Sequence, residues 1–159
     1  MEWLINGLPA HPLLVHFVVI VIPLAGLCLL ASVAWPAARR RLGVVTPLIA
    51  LAGLISVPLA TQAGEALEEQ VGESSLVEMH AELGDTMLPW AIGLFVVAVL
   101  QWVWFRWFAG GGAEPRIRSR TVRRTAIVGL VVAAVVVAVG AIVSVVVIGE
   151  SGARAVWGS

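Results

Sequence analysis

A membrane-embedded, all-α four-helix bundle with up-down topology is the architecture this chain of 159 residues encodes, and three properties point to it. The chain is 60% hydrophobic and 13% charged, with a mean hydropathy of +0.98, whereas soluble domains run near half apolar and a quarter charged. A soluble fold of this size could not bury that much apolar surface. Four runs of 20 to 24 residues, Leu13–Trp35, Val44–Ala63, Met87–Phe108 and Thr125–Ile148, contain no Asp, Glu or Lys. The charges are also segregated by sign between alternate connections. Residues 1–159 therefore read as a single transmembrane domain.

At about 1.5 Å per residue, some 20 helical residues cross a hydrocarbon layer of roughly 30 Å. The backbone must satisfy its own hydrogen bonds in lipid, so each run is expected as a helix. The Val- and Ile-rich fourth run would suggest strand in water, but a spanning strand needs only about ten residues.

The first run follows His11-Pro12, where proline suits an opening helical turn and leaves His11 at the cap. No basic residue precedes it in Met1–Ala10, so the start does not read as a cleavable signal peptide. Arg39, Arg40 and Arg41 follow in the first loop. The second run carries Ala52, Ser56, Ala60 and Gly64 at four-residue spacing, a pattern that lets helices approach closely in lipid. Pro23 and Pro58, inside the first and second runs, each free a carbonyl one turn back and predict local kinks.

Glu65, Glu68, Glu69, Glu73, Glu78, Glu82 and Asp85 then read as a solvated loop face, with docking of a basic partner as an alternative use. In the third run Arg106 lies near the end, able to snorkel to the interface beside Trp104 and Trp107. A linker over 109–124 holds Gly110, Gly111, Gly112, Pro115 and Arg116, Arg118, Arg120, Arg123 and Arg124, and divides the chain into two hairpins. Its arginines read as topology determinants and anionic-lipid contacts, each worth about 1 kcal/mol near the surface. Gly140 and Ser144 repeat the small-residue spacing in the fourth run.

Adding Arg106 to the loop arginines puts nine of ten on one side, which the positive-inside rule makes cytoplasmic. Nine of ten acids, including Glu2 and Glu150, fall on the other side. Both termini are thus expected outside a bacterial inner membrane. Trp3, Trp90 and Trp157 mark the outer boundary, and Trp35, Trp104 and Trp107 the inner one.

Several function classes are excluded or disfavoured. Zero net charge offers no field for nucleic acid. The single Cys28 excludes an internal disulfide and reads as a packing residue. The triple glycine lacks the Lys-Ser/Thr and preceding strand of a phosphate loop. No Ser-His-Asp arrangement has convincing spacing, so no catalytic residue is assigned and an enzyme is disfavoured. A transporter would bring polar residues to the midplane, where only weak groups such as Ser56 and Gln101 occur.

The three histidines carry the remaining chemistry, and all map to the outer side. His16 lies a turn inside the apolar run, and ionisable groups there default to function. His11 and His16, five positions apart, differ by about 140° around a helix. One reading is b-type haem held by His16 and His80, with His11 nearby and Gly84 relieving crowding beside a flat macrocycle. Another is a zinc, copper or iron ion held among His11, His16, His80, Glu65 and Glu150. The competing reading is that these groups cap helices and bond one another in a wet vestibule. On that reading the chain is a structural or assembly component of a larger membrane complex, in a homo- or hetero-oligomer.

The two hairpins read as an internal repeat: His11 opens the first, His80 precedes the second, and Gly64-Glu65 and Gly149-Glu150 close them.

His11-Pro12-Leu13-Leu14-Val15-His16-Phe17 resembles the opening signature of the bacterial membrane proteins grouped as domain of unknown function 2231. Val18 stands where that family usually has proline. Gly64-Glu65 is similar to the family's acidic motif after helix two, His80 to its histidine before helix three, and Gly149–Ala153 to its terminal glycine-rich segment. The resemblance spans nearly the whole chain. It implies a four-helix membrane domain, in some relatives beside Rieske-type iron–sulfur domains, hence a redox context with a Rieske-type or other redox membrane partner. It implies no proven activity.

Overall fold

The computed structural model describes residues 3–5, 7–71, 74–108 and 119–157. A short antiparallel turn opens the chain, β1 (Leu4–Ile5) pairing with β2 (Leu8–Pro9), with Gly7 at φ 79°. The Ala10 amide donates to the Trp3 carbonyl at 2.8 Å, tying this turn to the first helix. Among the described residues six α-helices follow: α1 Ala10–Ala34, α2 Pro36–Leu42, α3 Val45–Val71, α4 Ser75–Asp85, α5 Met87–Val103 and α6 Arg120–Trp157. A π-helical turn, Trp104–Phe108, ends α5.

Four helical stretches are long and apolar enough to cross a membrane: α1, α3 as far as Gln70, α4 with α5 and the π-turn, and α6. They form a ring in sequence order: α1 packs on α3, α3 on α5, α5 on α6 and α6 on α1. Each is antiparallel to its neighbours, the up-down arrangement expected.

A single pattern builds the core. A buried seam of α1 runs through Val18, Ile22, Ala25, Leu29 and Ser32, with Val21 and Gly26 buried beside it; that of α3 runs through Thr46, Ala50, Gly53, Val57 and Ala60, with Ser56 and Ala63 beside it. The corresponding set is Met87, Ala91, Leu94, Ala98 and Gln101 in α5, and Ala134, Ala138, Ala141 and Val145 in α6. All four seams alternate three- and four-residue steps, the heptad spacing of left-handed helix packing. Small residues on them allow close approach: a Cβ on Gly26 of α1 would sit 3.4 Å from Ala138 Cβ. The other faces of α1 and α6 expose Leu13, Ile20, Leu27, Val132, Val139 and Val146, apolar surface suited to lipid.

Several expected boundaries move. The first helix begins at Ala10, so His11 lies inside its opening turn and Pro9 is the cap. The second runs past Ala63 to Val71, carrying Glu65, Glu68 and Glu69 in helix. The stretch from Ser75 to Asp85 is helix rather than loop, started by Ser74, whose Oγ accepts from the Val77 amide at 3.3 Å. The α4–α5–π-turn stretch of 34 residues would measure roughly 50 Å, so amphipathic α4 lies beyond the hydrocarbon and α5 with the π-turn spans it. Of the expected linker 109–124, residues 120–124 are helical. Residues 109–118 lie outside the described residues, as do Glu2, Glu73, Glu114, Arg116 and Arg118.

The first connection is the short helix α2, with Pro36 at its start and Gly43 at φ 40° closing it. Arg39 turns back to cap α1: its Nε donates to Ser32 O at 2.8 Å and its Nη2 to Val33 O at 3.0 Å.

A histidine pair across the bundle end

Continuing the seams toward one end of the bundle shows which histidines meet. From Ser32, the three-and-four steps run back through Val18 and Val15 to His11; from Gln101 they run back through Met87 and Gly84 to His80. The thread through α3 reaches Gly64, and that through α6 passes Ile148 to Gly152. Two imidazoles and two glycines thus converge at one end. The rings of His11 and His80 lie 6.2 Å apart between centroids, steeply inclined at 81°.

Each imidazole is fixed by its own hairpin. His11 Nδ1 donates to the Ala60 carbonyl of α3 at 2.8 Å. His80 Nδ1 meets Ser151 Oγ of α6 at 2.8 Å, and the Ser151 hydroxyl donates to the Ile148 carbonyl at 2.8 Å. A carbonyl only accepts, and the serine proton is committed, so Nδ1 is the donor on both rings. In the neutral rings each Nε2 then carries the lone pair. The glycines make room: a Cβ at Gly64 would come within 3.0 Å of His11 Cε1 and Nδ1, and one at Gly152 within 2.9 Å of His80 Cε1. Partial burial and the nearby His11 ring hold His80, in the extramembrane helix α4, below the ordinary histidine pKa, against a smaller opposing effect of the Ile148 carbonyl.

The two halves close in a different register from the one the Gly64-Glu65 and Gly149-Glu150 spacing suggests. Gly64 corresponds to Gly152, each four residues after the carbonyl that anchors its histidine system, whereas a Cβ at Gly149 would meet nothing within 4 Å. Gly149 is off the seam.

The other expected site residues do not join this pair. His16 is exposed on the opposite face of α1, and its Nδ1 donates within its own helix to Pro12 O at 2.6 Å. The pairing of His16 with His80 is thus not the one made; the 140° offset puts His11 on the seam and His16 off it. Gly84 is on the seam, but a Cβ there would meet nothing within 4 Å. Glu65 is exposed, and Glu150 is exposed and paired with Arg154 at 2.6 Å across one helical turn. Among the described residues no group of three or more His, Cys, Asp or Glu is positioned to hold a metal ion. The five-residue ligand set is therefore not assembled.

Sequence reasoning missed Ser151 and Gly152. Counting the heptad steps forward from Ala134 would have reached Gly152 rather than Gly149.

The family model described as "Predicted membrane protein (DUF2231)" matches residues 7–159. No curated protein and no solved structure gives a match. The match takes in the first histidine of the seam and the last glycine, and with it the chain belongs to the DUF2231 family of membrane proteins.

Proposed function

We propose that this protein is a non-catalytic membrane subunit whose His11–His80 pair binds a first-row transition ion, zinc, copper or iron, in a redox context. The supporting observation is the hydrogen bond that each ring makes through Nδ1. A metal-binding histidine almost always donates its other ring N–H to a carbonyl or similar acceptor, which orients the ring and raises its basicity. Both rings carry that outer bond, His11 to Ala60 O and His80 to Ser151 Oγ, and both leave Nε2 as the donor atom. Two imidazoles are a partial ligand set, so water or a group from a partner subunit completes the coordination. The haem b form of this reading relied on His16, and the outward position of that ring favours the bare ion. We take the histidine end as extracytoplasmic in a bacterial inner membrane because the arginines cluster at the other end. A Rieske-type protein is the partner class that the family resemblance suggests, because some relatives carry this domain beside Rieske-type iron–sulfur domains.

The test is to purify the protein in mild detergent, load it with zinc or copper, remove the excess and count bound metal. About one ion per chain is expected, falling sharply in His11→Gln and His80→Gln. An absorption spectrum of the same preparation tests the haem form through its Soret band. Equal metal content in wild type and the double variant refutes the ion-binding reading.

A second reading has its own support, because both Nδ1 bonds cross between helices. On it the rings are staples that fix each hairpin, and the chain is an assembly component without a cofactor. Loss of thermal stability in the variants, with no metal bound by wild type, is the result it expects.

A further inference from the structure

The opposite end of the bundle holds a cavity of about 400 Å³, within the range of small-ligand sites. Arg39, Arg40 and Arg106 line it, together with Thr46, Gln101 and Phe105, and no Asp or Glu is among its lining residues. None of the three arginines pairs with a carboxylate among the described residues; the Arg154–Glu150 ion pair lies at the other end of the bundle.

The guanidiniums are presented differently. Arg39 is held by the Ser32 and Val33 carbonyls and lies 3.5 Å over the Phe105 ring, so its charge is positioned before any ligand arrives. Arg106 and Phe105 belong to the π-helical turn, a local widening that re-aims side chains and recurs at functional sites.

The wall also contains buried polarity that the protein does not satisfy. Thr46 is 3% exposed, and its Oγ1 has no hydrogen-bond partner among the described residues. Gln101, also 3% exposed, reaches Leu29 O only at 3.5 Å, the outer limit of a hydrogen bond. Unpartnered buried groups are costly and point to a missing partner. Planar guanidiniums, a hydroxyl and an amide beside an aromatic wall match a tetrahedral oxyanion with ester substituents.

We propose that this cavity binds a phosphate group, carried by an anionic lipid headgroup or by a soluble phosphate ester. Native mass spectrometry of the full chain, released from nanodiscs of phosphatidylglycerol or phosphatidylcholine, reads it directly. Wild type should retain phosphatidylglycerol in preference to phosphatidylcholine. Thr46→Val, Gln101→Leu and Arg106→Gln should each weaken retention about tenfold, the loss of one hydrogen bond to a charged group. Arg154→Gln, a change at the opposite end of the bundle, should leave it intact. Addition of glycerol phosphate separates the sources: displacement of the lipid assigns a soluble ester as a competent occupant, and retention assigns the headgroup. Arg106 is exposed, so its variant carries the test should Thr46→Val fail to fold. Equal retention of both lipids by wild type with no displacement by glycerol phosphate, or unchanged retention in a folded Arg106→Gln, overturns the proposal.

Discussion

Gly140→Ala probes how α5 and α6 are held together. A Cβ at Gly140 would lie 2.1 Å from Cζ3 of Trp90, 2.3 Å from Cη2 and 2.5 Å from Cε3. Carbon atoms pack at about 3.5–4.0 Å, so the indole must retreat by roughly 1.5 Å. Trp90 is half-buried against the core cluster and rigid, so the movement cannot be absorbed by a flexible tip. Overpacking costs typically 1–3 kcal/mol, and three ring atoms in conflict argue for the upper end. Alanine regains about 1 kcal/mol over glycine in a helix interior. The net loss is therefore about 2 kcal/mol, or roughly 4–8 °C in Tm for a chain of this length. Thermal unfolding in detergent, followed by the loss of monodisperse protein, measures it. The same substitution made in Trp90→Leu should be neutral or slightly stabilising, because the conflicting ring atoms are gone. A wild-type Tm for Gly140→Ala, or the same loss in both backgrounds, refutes the reasoning.

At the other glycines the histidine rings are the obstacle: Gly64→Ala and Gly152→Ala should each destabilise by about 1–2 kcal/mol in the same melt, Gly152→Ala the more, since its Cβ lies closer. His11→Ala should cost about 1–2 kcal/mol through the lost bond to α3 and lost packing, while His16→Ala should stay within about 0.5 kcal/mol because that ring is exposed and bonds only its own helix. Acid should destabilise the bundle through His80. Its folded pKa lies below the unfolded value of 6.5, so it adds no pH dependence while both states are neutral. As pH falls through about 6.5 the unfolded chain takes up the proton first, and stability drops by up to about 1.4 kcal/mol per pH unit until the folded ring protonates too. Tm measured from pH 7.5 down to 5 should show this slope in wild type and a shallower one in His80→Gln.

The spans were legible because length and hydrophobicity decide them in lipid, whatever the strand propensity of Val131–Val147. Their ends were not. Glu65, Glu68 and Glu69 look like loop in a hydropathy reading, yet a helix continues past the hydrocarbon wherever its backbone bonds can. Helix α4 did carry a signal: Ser74 at its cap and Leu76, Val77, His80 and Leu83 along one side, with Glu78, Glu82 and Asp85 exposed. The histidine partnership was half legible. Three histidines at one end followed from topology, but choosing His11 over His16 required the heptad thread through Val18, Ile22 and Leu29. Isolated four-residue spacing, as in Ala52 to Gly64, mixes seam and off-seam positions and hides it. Gly140 was read as allowing helix approach, whereas it accommodates an indole. The cavity at the arginine end is not legible in the sequence because it depends on the π-turn and on Arg39 folding back, neither of which periodicity encodes.

Each imidazole is moored inside its own half of the molecule, His11 to α3 and His80 to α6, and the two rings face each other across the divide at 6.2 Å with no hydrogen bond between them. That gap is consequently a gauge. A small slide of one hairpin along the other changes the distance between the two lone-pair nitrogens while leaving every mooring intact, so any guest shared by both rings is also a clasp that sets the alignment of the halves.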